Sequence, residues 1–414
     1  MWRRVGYLLI LFPFLFMVVS AGRDTLVLDP VKRASAPYHY RLLEWELVHL
    51  PQKWFHILKQ TVLRDRPSRS ERLALVDEYF KLQDQINQVS WQLQLAAAGS
   101  SSSEQLPSLE TSLARLWARQ QAIKADVEEA LETEISDVLE EEGFATFLGV
   151  LFPPVDFVLG RTPNVLVLSP RDRIQIARTM LLHPSMSLSQ IQALEDHILS
   201  EENLSALVER TGGVATYPSV VYGGYGLRNT LNIAVHEWLH QYLIFYPLGR
   251  NYSRNGDMTT LNETLANIVG EELGDKVYER ITGKELVKVS ETVVMEDSAD
   301  PAFDFNQEMR ETRSKVEALL AQGKVEEAEQ YMEERRRYFV EHGYHIRKLN
   351  QAYFAFHGSY ADGPASISPV EQELRELRRL SESPAQFVRR VAQFGDYGEF
   401  QQYLKKLKAE GDTH

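Results

Sequence analysis

The chain has 414 residues, a formal net charge of −13 and no cysteine. That length leaves room for two domains, each with a sizeable core. The acidic balance, with no basic face interleaved with aromatics, excludes nucleic acid as an expected partner. The absence of cysteine excludes disulfides and thiolate metal sites, so any metal must be held by His, Asp or Glu.

At the N-terminus, Arg3 and Arg4 precede a run without charge from Val5 to Ala21. Residues 1–22 read as a signal peptide or a membrane anchor, the run being long for the first and short for a spanning helix. Val19-Ser20-Ala21 would serve as a cleavage site. Basic residues ahead of the run favour an inside N-terminus with the bulk of the chain exported. The expectation is an extracytoplasmic protein held to the membrane by an uncleaved N-terminal helix, or secreted if the segment is removed.

Residues 23–150 read as a helical region. Over 70–95, with Ser70 as N-cap, Leu75, Tyr79, Leu82, Ile86, Val89 and Leu93 alternate spacings of four and three, a heptad seam. Gly99 and the serines at 100–103 break it. A second helix over 106–142 carries Leu109, Leu113, Leu116, Ile123, Val127 and Leu131 on one side, which predicts an antiparallel helical hairpin. It would serve as a spacer, a partner-binding arm or packing. Phe152-Pro153-Pro154 marks a boundary, and residues 151–414 read as the second domain. A short buried strand over 164–169 ends at Pro170, and helices are expected from there to about Arg210. Residues 213–222 are rich in β-branched and aromatic side chains, and Pro218 places them at a sheet edge.

From Leu231 to Phe245 the chain is apolar almost all round, so it predicts a buried helix, begun at Asn229-Thr230 and ended by Pro247 and Gly249. Within it lies His236-Glu237-Trp238-Leu239-His240. Imidazoles four residues apart project from one helix face, where one metal ion can take both, and H-E-x-x-H is the spacing of zinc peptidases. The plainer alternative is two core histidines hydrogen-bonded to their neighbours, with the glutamate in an ion pair. A hydrolytic zinc keeps three protein ligands and an open fourth position. Leu261 to Asn267 opens a second apolar helix, and Glu263 is its early carboxylate. Ala266, Asn267, Gly270 and Gly274 share its side, small enough for close helix approach. Asn267 and Glu271, one and two turns beyond Glu263, are candidates to orient a ligand histidine. A surface carboxylate is the plain alternative for Glu263.

H-E-x-x-H at 236–240 followed by N-E-x-x-A at 262–266 resembles the gluzincin zinc metallopeptidases, over about 212–274. The resemblance implies a zincin-like core with a small sheet ahead of the zinc helix. It implies Zn2+ held by His236, His240 and Glu263, with Glu237 as general base. It implies a strand edge ahead of the zinc helix that pairs with an extended peptide, and a later Tyr or His that donates to the oxyanion. Residues 344–362 read as a helix whose polar stripe is Asn350, Tyr353, His357 and Tyr360; Tyr353 and His357 are the donor candidates. The chain departs from the family in a longer gap between His240 and Glu263. It also lacks the exopeptidase motif G-x-M-E-N: Gly212-Gly213-Val214-Ala215-Thr216 holds no carboxylate. Endopeptidase and aminopeptidase action both stay open.

Long charged helices over 306–348 and shorter ones over 371–380, 384–394 and 399–409 complete an α+β, mostly helical pattern. The expected function is zinc-dependent hydrolysis of peptide bonds in a peptide or protein substrate. The alternative is a non-enzymatic, membrane-tethered helical scaffold with a structural or degenerate zinc site. Glu237 argues against it, since a structural site has no use for a base and usually has four ligands. The same chemistry would also serve other amides and esters.

Overall fold

Asp29 caps a short helix, α1 (Pro30–Ser35), by accepting the Val31 amide at 3.0 Å. The computed structural model describes residues 29–42, 67–97, 106–286 and 303–411. The expected signal or anchor at 1–22 lies outside them. Among the described residues, no helix is long and apolar enough to cross a membrane.

The helical hairpin is α2 (Arg69–Ala97) and α3 (Leu106–Glu141). Its N-cap is Ser68 rather than Ser70. The Ser68 hydroxyl accepts the Glu71 amide at 3.3 Å and the Glu71 carboxylate accepts the Ser68 amide at 2.7 Å, a capping box that Ser70 cannot form. Val76, Tyr79 and Leu82 of α2 and Ile123, Val127 and Leu131 of α3 share one core with Leu231, Val235, Trp238 and Leu239. The base of the hairpin therefore packs the interior that surrounds the histidine pair, and the core runs across the expected boundary at 150. Buried Glu134 reinforces the join, taking Arg69 at 2.8 Å and Arg280 at 3.3 Å.

The strands are β1 (Phe157–Leu159), β2 (Asn164–Pro170), β3 (Arg178–Leu182), β4 (Leu204–Arg210), β5 (Gly213–Val214) and β6 (Ser219–Val221), with α4 (Leu188–Glu202) between β3 and β4. One antiparallel sheet has the order β3-β2-β4; the other has the order β1-β6-β5, with β1 and β6 parallel. The helices expected from Pro170 to about Arg210 are thus corrected to strand, helix, strand. Both faces of β4 are covered: Ala206 and Val208 pack with Val31, Leu194 and Ile198, while Leu207 packs with Ala352. A strand buried on both sides shows no alternation, so its apolar run carries no period to separate it from helix.

The expected edge strand at 213–222 divides in two. β6 is central and β5 forms the edge. On the far side, β1 is closed by α3: Glu132 accepts the Phe157 amide at 2.9 Å and Glu128 the Leu159 amide at 2.7 Å. Carboxylates that satisfy edge amides block pairing there, which leaves β5 as the edge that lies beside the histidine helix.

That helix, α5 (Leu227–Leu243), is capped at Gly226 (φ 86°), three to four residues before the expected Asn229-Thr230 cap. Thr230 instead donates to the Gly226 carbonyl at 2.7 Å, one turn back. After α6 (Pro247–Arg250), Asn255 caps α7 (Gly256–Thr282). α5 and α7 pack closely because α7 carries glycine at the contact. A Cβ on Gly270 would come within 2.9 Å of the Asn232 carbonyl and 3.1 Å of His236 Cβ, and one on Gly274 within 2.7 Å of Asn232 Cα.

Helices α8 (Phe305–Ala321) and α9 (Val325–Glu341) form a second pair around Met309, Val316, Met332 and Phe339. α10 (Gln351–His357) lies on the β3-β2-β4 sheet, and α11 (Val370–Arg379), α12 (Pro384–Ala392) and α13 (Tyr397–Gly411) add Leu374, Phe387 and Phe400 to the main core. The helix expected over 344–362 is only α10. Asn350 is its cap, accepting the Tyr353 amide at 2.9 Å, so the chain ahead of it is not helical. The described residues are mostly helical with two small sheets, an α+β fold.

Candidate metal centre

An apolar helix that carries two half-buried imidazoles and a buried carboxylate needs partners for them, because an unpaired buried polar group costs several kcal/mol. His236 Nε2 and His240 Nε2 lie 2.9 Å apart, and Glu263 Oε2 is 3.5 Å from each. These three donors form a compact triangle able to hold a metal ion. A tetrahedral ion with bonds of about 2.0–2.1 Å separates its ligands by about 3.3–3.4 Å. The observed sides bracket that spacing. Two nitrogens and one oxygen, with no sulfur, suit a transition-metal ion such as zinc or iron better than magnesium or calcium, which prefer all-oxygen shells.

Asn262 orients His240. Its side-chain oxygen is 2.9 Å from His240 Nδ1 and accepts the proton there, so that Nε2 is the nitrogen turned toward the other two donors. Asn262 and Glu263 are neighbours on α7, so a single turn supplies both the ligand and the group that sets its partner's tautomer. The Tyr252 hydroxyl, from the loop between α6 and α7, donates to Glu263 Oε1 and fixes the carboxylate.

The charges are strongly coupled. Burial opposes ionisation of Glu263, but the two imidazoles outweigh it and hold this carboxyl well below the usual range. Burial likewise opposes a charge on His240, and the Glu263 carboxylate more than offsets this, lifting the imidazole to about 9. Burial raises the Glu237 carboxyl against the pull of both histidines. Glu237 lies on the β5 side of α5, where a Cβ on Gly213 would overlap its carboxylate. Glycine there lets the strand backbone approach the acid directly.

Of the expected residues, His236, His240 and Glu263 come together, with Glu237 beside them. Tyr353 and His357 are placed elsewhere. Their ring centroids lie 4.2 Å apart with the planes tilted by 40°, His357 Nε2 is 4.0 Å from Glu209 Oε1, and Tyr353 packs against the β3-β2-β4 sheet, its hydroxyl raised by burial and by Glu209. The helical stripe breaks because α10 ends at His357. The chain then turns, and it is Tyr360 that comes back to α7. Burial raises the Tyr360 hydroxyl well above its ordinary value, helped by Glu263, Tyr252 and Glu237. Asn267 orients no histidine; its amide donates to Asp362 at 3.2 and 3.1 Å. Glu271 lies near the Arg375 guanidinium, whose charge it supports. The residues that do contact the ligands, Asn262 and Tyr252, were readable only in part. Asn262 adjoins Glu263 in the motif, whereas Tyr252 lies in a loop with no periodicity to single it out.

One consequence is measurable. Below about 9 the metal-free protein keeps a proton on His240, and a ligating imidazole must be neutral. Loading with zinc at pH 7.5 is therefore expected to release roughly one proton, and affinity to rise with pH up to that value. Titration calorimetry in two buffers of different ionisation enthalpy measures the release; equal heats in both would show that His240 is already neutral. Searches of family models, of curated proteins and of solved structures found no match for the chain.

Proposed function

We propose that the protein is a zinc-dependent hydrolase of peptide bonds, and that the extended substrate lies along β5. The observation that supports this best is a three-donor triangle with a buried carboxylate beside it that takes no part in the triangle. Zinc bound by His236, His240 and Glu263 would lower the pKa of a coordinated water and polarise the scissile carbonyl. Glu237, raised by burial, takes the proton of the attacking water and returns it to the leaving amine. Gly213 and Val214 offer a strand edge next to that acid, suited to pairing with an extended peptide. Tyr360 supplies an O–H donor for the charge that develops on the carbonyl oxygen. With no carboxylate in 212–216 to anchor a free amine, internal cleavage is favoured over removal of N-terminal residues. Arg3, Arg4 and the uncharged run to Ala21 favour a place outside the cytoplasm, on the membrane.

The test is full-length protein with an unbiased peptide library. Cleavage should disappear on chelation and return with zinc. Stoichiometric zinc without any cleavage would favour the scaffold, and cuts confined to N-termini would favour an aminopeptidase.

A further inference from the structure

We propose that Thr264 and the Asn267–Asp362 pair are positioning residues, a latch that holds the segment after α10 against α7 and so sets the Tyr360 hydroxyl at the metal group. The inference rests on the reading of Tyr360 as the donor in a hydrolytic site.

Bonds inside the segment do not by themselves aim Tyr360. The Gly363 amide donates to the Tyr360 carbonyl at 2.9 Å, and the Ser366 amide to the Gly363 carbonyl at 3.2 Å. These are local turns, which shape the segment without orienting it toward α7. Orientation comes from the two residues that follow Tyr360. The Ala361 amide donates to Thr264 Oγ1 at 2.9 Å, with both residues buried. Asp362 accepts both bonds from the Asn267 amide.

The α7 side of the latch is the turn that carries the ligand. Thr264 follows Glu263 directly, and Asn267 lies one turn beyond it on the same face. Thr264 is fully buried among Leu261, Leu265 and Ile268, where a hydroxyl stabilises only through the bonds it makes. Buried Thr230 and Thr312 donate back to their own helices. Thr264 accepts from a different segment, and that segment carries Tyr360. The turn that places the metal-binding carboxylate thereby also sets the distance from it to the donor hydroxyl.

The test places 3-fluorotyrosine at position 360 of the full chain and compares Thr264→Val, Thr264→Ser and Asn267→Leu. Valine keeps the shape and loses the acceptor; serine keeps the acceptor. The fluorine resonance is expected to shift or broaden in Thr264→Val and Asn267→Leu and to return in Thr264→Ser, with zinc content equal throughout. On a cleavable peptide with Tyr360 itself, kcat should fall about 10- to 100-fold in Thr264→Val with KM nearly unchanged, and recover in Thr264→Ser. An unmoved resonance in both Thr264→Val and Asn267→Leu would overturn the latch. So would a loss of zinc in step with the resonance, since Thr264 would then act on Glu263. If the parent cleaves nothing, the hydrolytic reading falls, while the resonance still decides whether these residues hold position 360.

Discussion

Glu237→Gln is expected to retain its zinc and to lose about 10²–10⁴-fold in kcat/KM, the usual contribution of a positioned general base. The glutamine side chain has nearly the size of glutamate, so it should fit against Gly213, where space for the carboxylate depends on the missing Cβ. It cannot accept a proton at neutral pH. The metal should stay because Glu237 lies outside the triangle of His236, His240 and Glu263. Steady-state kinetics on any peptide cut from the library, together with zinc analysis of the same samples, separates the two effects. Equal turnover would remove Glu237 from the chemistry. Loss of zinc would make it a ligand and require a different base.

Glu263→Ala should bind zinc at least about 100-fold more weakly, the upper range for loss of a supporting residue and a lower bound for loss of a ligand. Two further groups are disturbed. The Tyr252 hydroxyl loses its acceptor, and His236 and His240 lose the negative charge 3.5 Å away. Without that charge, burial pulls the His240 imidazole down from about 9, so proton release on metal loading should shrink with the affinity. Zinc should raise the melting temperature of the parent, since a ligand at 100 times its Kd stabilises the folded state by about 2.7 kcal/mol. It should raise that of Glu263→Ala little. Thermal melts with and without zinc provide the measurement. A parent-like zinc response in Glu263→Ala would place the third ligand elsewhere.

The helices around the centre were legible because both signals are periodic and local. Histidines at 236 and 240 share a face through helix geometry alone, and the small residues at 266, 270 and 274 lie on the side where α7 meets α5. The hairpin was legible for the same reason, from its four-three spacing. The strand at 204–210 was not, because burial on both faces erases alternation. The stripe at Asn350, Tyr353, His357 and Tyr360 reads as one face of a single helix. A helix drawn straight through 344–362 gives all four members one direction, whereas the cap at Asn350 and the turn after His357 set Tyr353 and His357 near Glu209 and Tyr360 near Glu263.

By itself, then, the chain determined what each of the two helices presents: the imidazole pair on one face, the acid between them turned to another, and on the next helix a carboxylate and the glycines that let the two approach. Tertiary structure alone decided what arrives from outside those helices. Tyr252 comes from a loop, Tyr360 from beyond a capped helix, and Gly213 from a strand whose far neighbour is closed by the hairpin's carboxylates. Contacts within a helix follow from its 3.6-residue period, whereas those between segments depend on where turns and caps redirect the chain, and no period in the sequence records that.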